Sequence, residues 1–127
     1  MTHHTSITPF LTVKDAKRAL KFYTDGFGAK ITDREETPDG FTTGKVIIDG
    51  AAFWVGDEQP EYGNEAPKTA GQSGVRLILI AGDPDALFDA AIRAGATEIC
   101  PVTVEESWKI GKLADPFGHV WEIGKPL

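Results

Sequence analysis

From Ser6 to Val13 apolar and polar residues alternate in a β-rich run, which predicts a strand. Asp15 then stands as a helix cap. Ala16, Ala19, Leu20, Tyr23 and Phe27 fall at helical spacing behind it, predicting a helix that lays one apolar stripe on a sheet. Gly26 and Gly28 are expected to end that helix. Ala29 to Glu35, Phe41 to Ile48 and Ala51 to Val55 read as strands. Pro38-Asp39-Gly40 supplies the first turn between them, and the hairpin dipeptide Asp49-Gly50 the second. From Gly56 to Gly74 the composition shifts to Gly, Pro, Glu, Asn and Lys without a period, as expected of a long linker. Val75 to Ile80 is an apolar run broken only by Arg76. Asp83-Pro84 pairs a cap with proline at the first helical position. Leu87, Ala90, Ala91 and Ala94 form the stripe expected of the second helix. Thr97 to Val104, Trp108 to Ala114 and His119 to Ile123 read as strands, the last two joined by Asp115-Pro116-Phe117-Gly118.

This pattern is a repeat. Ile7 to Leu11, Asp15, Phe27-Gly28-Ala29 and Ala52 to Val55 recur about 68 residues later as Val75 to Leu79, Asp83, Ala94-Gly95-Ala96 and Val120 to Ile123. The expected class is α+β: two βαβββ units at 6–56 and 74–125, a linker at 57–73, and one domain over 1–127 with a cleft between the halves. Each helix covers one face of its own sheet. Alternation then assigns sides: Leu11, Val13, Phe53, Val55, Leu79, Ala81, Trp121 and Ile123 go under the helices. The opposite faces receive Thr8, Phe10, Thr12, Ala52 and Trp54 from one half, and Arg76, Ile78, Ile80, Val120 and Glu122 from the other. A face that sets Arg76 and Glu122 among large apolar groups reads as a pocket.

Composition narrows the function classes. The chain has 127 residues, 41% hydrophobic and 25% charged, an ordinary globular balance. Its formal net charge of -6 leaves no basic stripe for nucleic acid. No apolar run is long enough to span a membrane, and the N-terminus lacks the pattern of a signal segment, so a cytoplasmic location is expected. One cysteine, Cys100, excludes an internal disulfide and a cysteine metal cage. It is expected to be a small buried hydrophobe. His3-His4 reads as a solvated terminus.

Val13-Lys14-Asp15-Ala16, Lys21-Phe22-Tyr23, Phe27-Gly28-Ala29, Ala94-Gly95-Ala96 and Asp115 to Glu122 occur in an order and spacing that resemble the vicinal oxygen chelate superfamily. That superfamily comprises glyoxalase I, bleomycin-resistance proteins and extradiol dioxygenases, and the chain looks most like its small single-domain glyoxalase-like branch. The resemblance covers nearly the whole chain. It implies mixed sheets that curl around a cavity, a homodimer and a small-molecule ligand. In the metal-dependent members each half gives one metal ligand from its first strand and one from its last. Carried over, these positions are Thr8, Trp54, Arg76 and Glu122, of which only Glu122 is an ordinary ligand. Arg76 puts a fixed cation where a divalent ion would sit. Two like unit charges about 4 Å apart repel by roughly 4 kcal/mol at an effective dielectric of about 20. No metal cofactor is expected.

The candidate binding residues are Thr8, Phe10, Trp54, Arg76, Ile78, Trp108 and Glu122. Trp54, Trp108 and Phe10 offer aromatic walls for a flat ligand, or ordinary core filling. Arg76 and Glu122 form an internal ion pair, or the arginine fork takes an anionic ligand. Glu122, if buried without a partner, is a candidate catalytic base. His119 is expected to be a surface hairpin residue, Asp115 an acceptor of backbone hydrogen bonds in its own turn, and Glu105-Glu106 a solvated face. Lys45, Lys109 and Lys112 are candidates for the pocket mouth. Two readings follow: a metal-free binder of an aromatic or anionic molecule, of the sequestration type, or a glyoxalase-like lyase, isomerase or dioxygenase that uses Glu122.

Overall fold

Two aspartates start the helices of this computed structural model, which describes residues 4–127. The Asp15 carboxylate accepts the Arg18 N–H, and Asp83 accepts the Ala86 N–H. The first half consists of β1 (Phe10–Val13), α1 (Ala16–Phe27), β2 (Lys30–Glu36), β3 (Thr42–Ile48) and β4 (Ala51–Asp57). The second consists of β5 (Leu77–Ile80), α2 (Pro84–Ala94), β6 (Thr97–Glu105), β7 (Trp108–Ala114) and β8 (Val120–Pro126). The two sheets run β1-β4-β3-β2 and β5-β8-β7-β6. Each is mixed, because β1 lies parallel to β4 and β5 parallel to β8, while the other pairings are antiparallel. Phe10 pairs with Trp54 in one sheet and Ile78 with Glu122 in the other, so the repeat holds pair for pair. The α+β class and the two βαβββ units are thus present. No helix of the described residues is long and apolar enough to cross a membrane.

Local chemistry explains the boundaries. Asp49 and Gly50 both take positive φ (49° and 87°), as a tight two-residue hairpin needs, and Gly50 meets that need without a Cβ penalty. Gly28 ends α1 in the left-handed region and donates to the Tyr23 carbonyl. Gly26 does not end the helix: it lies inside α1, where a Cβ would meet the Ala94 Cβ at 3.2 Å. Its role is to let α2 approach. Asp57, placed in the linker by composition, closes β4 instead. Its two oxygens accept the Ala16 N–H at 2.7 Å and the Thr42 N–H at 2.9 Å, tying α1 and β3 together. The linker carries a short 3-10 turn, Pro60–Tyr62.

One core joins the halves. Leu11, Val13, Val55, Phe53, Leu79, Trp121 and Ile123 are buried on the helix side, where alternation puts them. The α1 stripe is buried in full, with Phe22 added to it. On α2 the stripe is centred differently: Pro84, Phe88 and Ala91 are buried, while Leu87 and Ala94 pack only partly against the core. Phe88 fits where an alanine-and-leucine stripe was expected because Gly111 on β7 leaves room for its ring; a Cβ there would stand 3.0 Å from Phe88 Cε2. At the centre Tyr23, Phe27, Phe53 and Trp121 meet, with Phe27 and Trp121 centroids 4.9 Å apart and edge-to-face.

Candidate ligand-binding site

The faces turned away from the helices are only partly covered. Phe10, Ile78 and Ile80 are 53%, 55% and 57% exposed. On the second sheet this face forms a cavity of about 530 Å³. Ile78, Trp108 and Ile110 give it an apolar floor, and Glu122 and Lys112, cross-strand partners on β8 and β7, give it a polar end. Cys100, Glu105 and Glu106 belong to its rim.

Of the expected site residues, this cavity gathers Ile78, Trp108 and Glu122. Arg76 is outside its walls, with a side chain 65% exposed, and its Nη1 donates to Glu122 Oε1 at 3.1 Å. The carboxylate that the catalytic reading needs unpartnered is therefore paired. Phe10 and Trp54 stand on the first sheet, and Thr8 is exposed just before β1. Phe10 lines a smaller hollow of about 230 Å³ with Pro9, Val75 and Leu77. Lys45 sits over the Trp54 ring, 5.7 Å from its centroid. Lys109 pairs with Asp85, which leaves Lys112 as the lysine of the cavity.

Two expectations are corrected here, for Cys100 and His119, and a third is extended. Cys100 is exposed, not buried, because β6 slips register on either side of it and turns the thiol to the cavity. Glu105 and Glu106 are exposed as expected, but they also wall the cavity. His119 is buried rather than a surface hairpin residue, with its Nε2 2.9 Å from the Thr12 carbonyl. It thereby joins the hairpin of the second half to the first strand. His3 lies outside the described residues, and His4 is exposed.

Behind the hairpin is a polar cluster that sequence reasoning saw only in part. Asp115 accepts the backbone N–H groups of Phe117 (2.9 Å) and His119 (3.0 Å), as expected. It also accepts Tyr23 Oη at 2.5 Å and Trp121 Nε1 at 3.0 Å, across the core. Burial pushes the Tyr23 hydroxyl well above its ordinary value, and the Asp115 charge adds to the shift. With every oxygen committed inward, Asp115 holds the fold together and leaves the cavity chemistry to Glu122 and Lys112.

A model of the Glyoxalase/Bleomycin resistance protein/Dioxygenase superfamily matches residues 2–123. The chain belongs to that superfamily. An uncharacterised protein of Mycobacterium bovis is 34% identical over 128 residues, covering 96% of this chain and 84% of its own. Among solved structures, TioX from Micromonospora sp. ML1 matches with a TM-score of 0.75 at 21% identity, covering 98% of this chain and all of its own. The fosfomycin resistance protein FosX from Listeria monocytogenes, solved with Mn(II) and a sulfate ion, matches with a TM-score of 0.70 at 12% identity, over 100% of this chain and 95% of its own. At these identities the structural matches establish the fold alone. The superfamily's metal chemistry does not fit the side chains present. Of the four positions that the resemblance gives for metal ligands, Thr8, Trp54 and Arg76 offer a weak donor, no donor and a cation, and Glu122 alone is an ordinary ligand.

Proposed function

We propose that this protein is a metal-free small-molecule binder of the superfamily, acting in the cytoplasm as a homodimer and sequestering a flat aromatic ligand. The observation that carries this reading is the cavity on the second sheet, with Trp108, Ile78 and Ile110 as its apolar surface and Glu122 and Lys112 at its polar end. An apolar pocket with a few convergent polar groups is the usual form of a ligand site. Three carboxylates, Glu105, Glu106 and Glu122, face it against one lysine, and Arg76 stands outside its walls with Nη1 on Glu122. That balance favours a neutral or cationic aromatic ligand over an anionic one. A resistance role through sequestration fits the same reading; among the neighbours in fold, FosX carries fosfomycin resistance in its name.

Tryptophan emission titrated with a panel of flat aromatic compounds tests the proposal. Saturable changes that vanish in Trp108→Phe are expected, and a panel that leaves the emission unmoved counts against it. Metal analysis of protein purified without chelators is the companion measurement, and a stoichiometric divalent ion lost in Glu122→Gln would reject the metal-free reading. One feature favours a catalytic alternative: Glu122 faces the cavity and Arg76 holds only its Oε1, so Oε2 is placed to act as a base on a bound carbonyl compound. Turnover abolished by Glu122→Gln with binding retained would establish that alternative.

A further inference from the structure

A second cavity, of about 590 Å³, lies where the first turn of α1, linker residues 67–70 and the β7–β8 hairpin meet. It shares no wall residue with the cavity on the second sheet. Its walls carry three cations, Lys14, Arg18 and Lys68, on a chain whose net charge is -6. None of the three is in an ion pair among the described residues, whereas Lys17, Lys21, Arg76 and Lys109 all are. Of the two acids in the wall, Asp115 has both oxygens engaged elsewhere and Asp15 has one, Oδ1. Asp15 caps α1 through the Arg18 N–H, and the oxygens of Asp115 hold Tyr23, Trp121 and two backbone N–H groups. The linker is fastened over the site by the Gly71 N–H, which donates to the Gly118 carbonyl at 3.1 Å. Ile99, Pro116 and Phe117 add an apolar side.

We propose that this cavity is a binding site for a small organic anion, one whose phosphate or carboxylate group meets Lys14, Arg18 and Lys68 while its apolar part lies on Ile99, Pro116 and Phe117. Against the one free oxygen of Asp15, the uncommitted side-chain groups of the wall are the three cations and the hydroxyls of Thr69 and Thr97. Arginine and lysine together suit an oxyanion, the first by its planar fork and the second as a point charge. The site is separate from the aromatic-ligand cavity and does not depend on that cavity's function.

Amide NMR of the labelled full chain, titrated with inorganic phosphate, phenyl phosphate and benzoate at constant ionic strength, tests it. Saturable shifts confined to the first turn of α1, residues 67–71 and the hairpin are expected, with phenyl phosphate binding more tightly than inorganic phosphate. Stronger binding of benzoate than of phenyl phosphate would assign the site to carboxylates, and the reverse to phosphate esters. In the Lys14→Ala/Arg18→Ala/Lys68→Ala variant affinity should fall roughly tenfold or more, since three exposed charge contacts are removed. Lys68→Gln alone, on the linker and clear of both helices, should weaken binding by a smaller factor. Shifts absent with all three probes, or affinities unchanged in both variants, overturn the proposal. Equal affinity for inorganic and phenyl phosphate overturns the role given to the apolar side.

Discussion

Asp115 accepts hydrogen bonds from α1, from β8 and from its own turn, so one buried carboxylate ties the two halves together. Asp115→Ala would strand the Tyr23 hydroxyl and the Trp121 N–H in the core, each at a cost of about 1–3 kcal/mol. Chemical denaturation should therefore show a loss of roughly 3 kcal/mol or more, while Tyr23→Phe, which removes one donor from a charged acceptor, should cost about 1.5–3 kcal/mol. Tyr23 also sets an alkaline limit. Its hydroxyl is held above the ordinary value of 10.0, so the folded state keeps a proton that the unfolded chain releases. The stabilisation is complete below that value and falls as pH rises above it, and Tyr23→Phe should flatten this alkaline slope. An unchanged slope would remove Tyr23 as its source. The turn role of Asp115 was legible, because Asp-Pro-Phe-Gly is a turn sequence. Its core partners were not, since Tyr23 is 92 positions away and reaches it only through the packing of both halves. The burial of His119 escaped for the same reason: its partner is a carbonyl on β1.

Element by element, the repeat is written in paired glycines as well as in paired strands. Gly44 on β3 leaves room for Leu20, and Gly111 at the matching place on β7 leaves room for Phe88. At Gly111 a Cβ would come within 2.8 Å of Val102 Cγ2 and 3.0 Å of the Val102 backbone nitrogen. Gly111→Ala should accordingly destabilise the protein by about 1–3 kcal/mol in a thermal or urea melt. Gly82→Ala, with open space around the position, should be near neutral. Equal effects of the two would contradict the packing described. Truncating the ring instead, as Phe88→Ala, should cost about 3–5 kcal/mol. Both helix starts, the Asp49-Gly50 hairpin and the extent of β7 were readable, because each is fixed by local chemistry. The centring of α2 on Phe88 and the twist of β6 that exposes Cys100 were not. The first depends on a glycine in another strand, and the second on bulges that break the alternation used to assign sides.

The whole molecule leaves apolar surface on the faces its helices do not cover, with Phe10, Ile78 and Ile80 each more than half exposed. A second copy covering these faces would satisfy them, and sedimentation velocity should report a dimer that Ile78→Asp/Ile80→Asp converts to a folded monomer. A monomeric wild type would contradict that assembly. The repeat made the family and the two-sheet plan legible, and it matched Thr8 to Arg76 and Trp54 to Glu122. It did not show which of these share a cavity. The offset relates one half to the other by symmetry, and in the single chain Trp54 and Glu122 belong to different sheets, so the site residues divide. The proposed ligand site is the cavity of the second sheet, floored by Trp108. It is tested most directly by calorimetric titration of one aromatic ligand into wild type, Trp108→Ala and Trp54→Ala. Affinity should collapse in Trp108→Ala and survive in Trp54→Ala; full affinity in Trp108→Ala with loss in Trp54→Ala would rule out a ligand site on the second sheet.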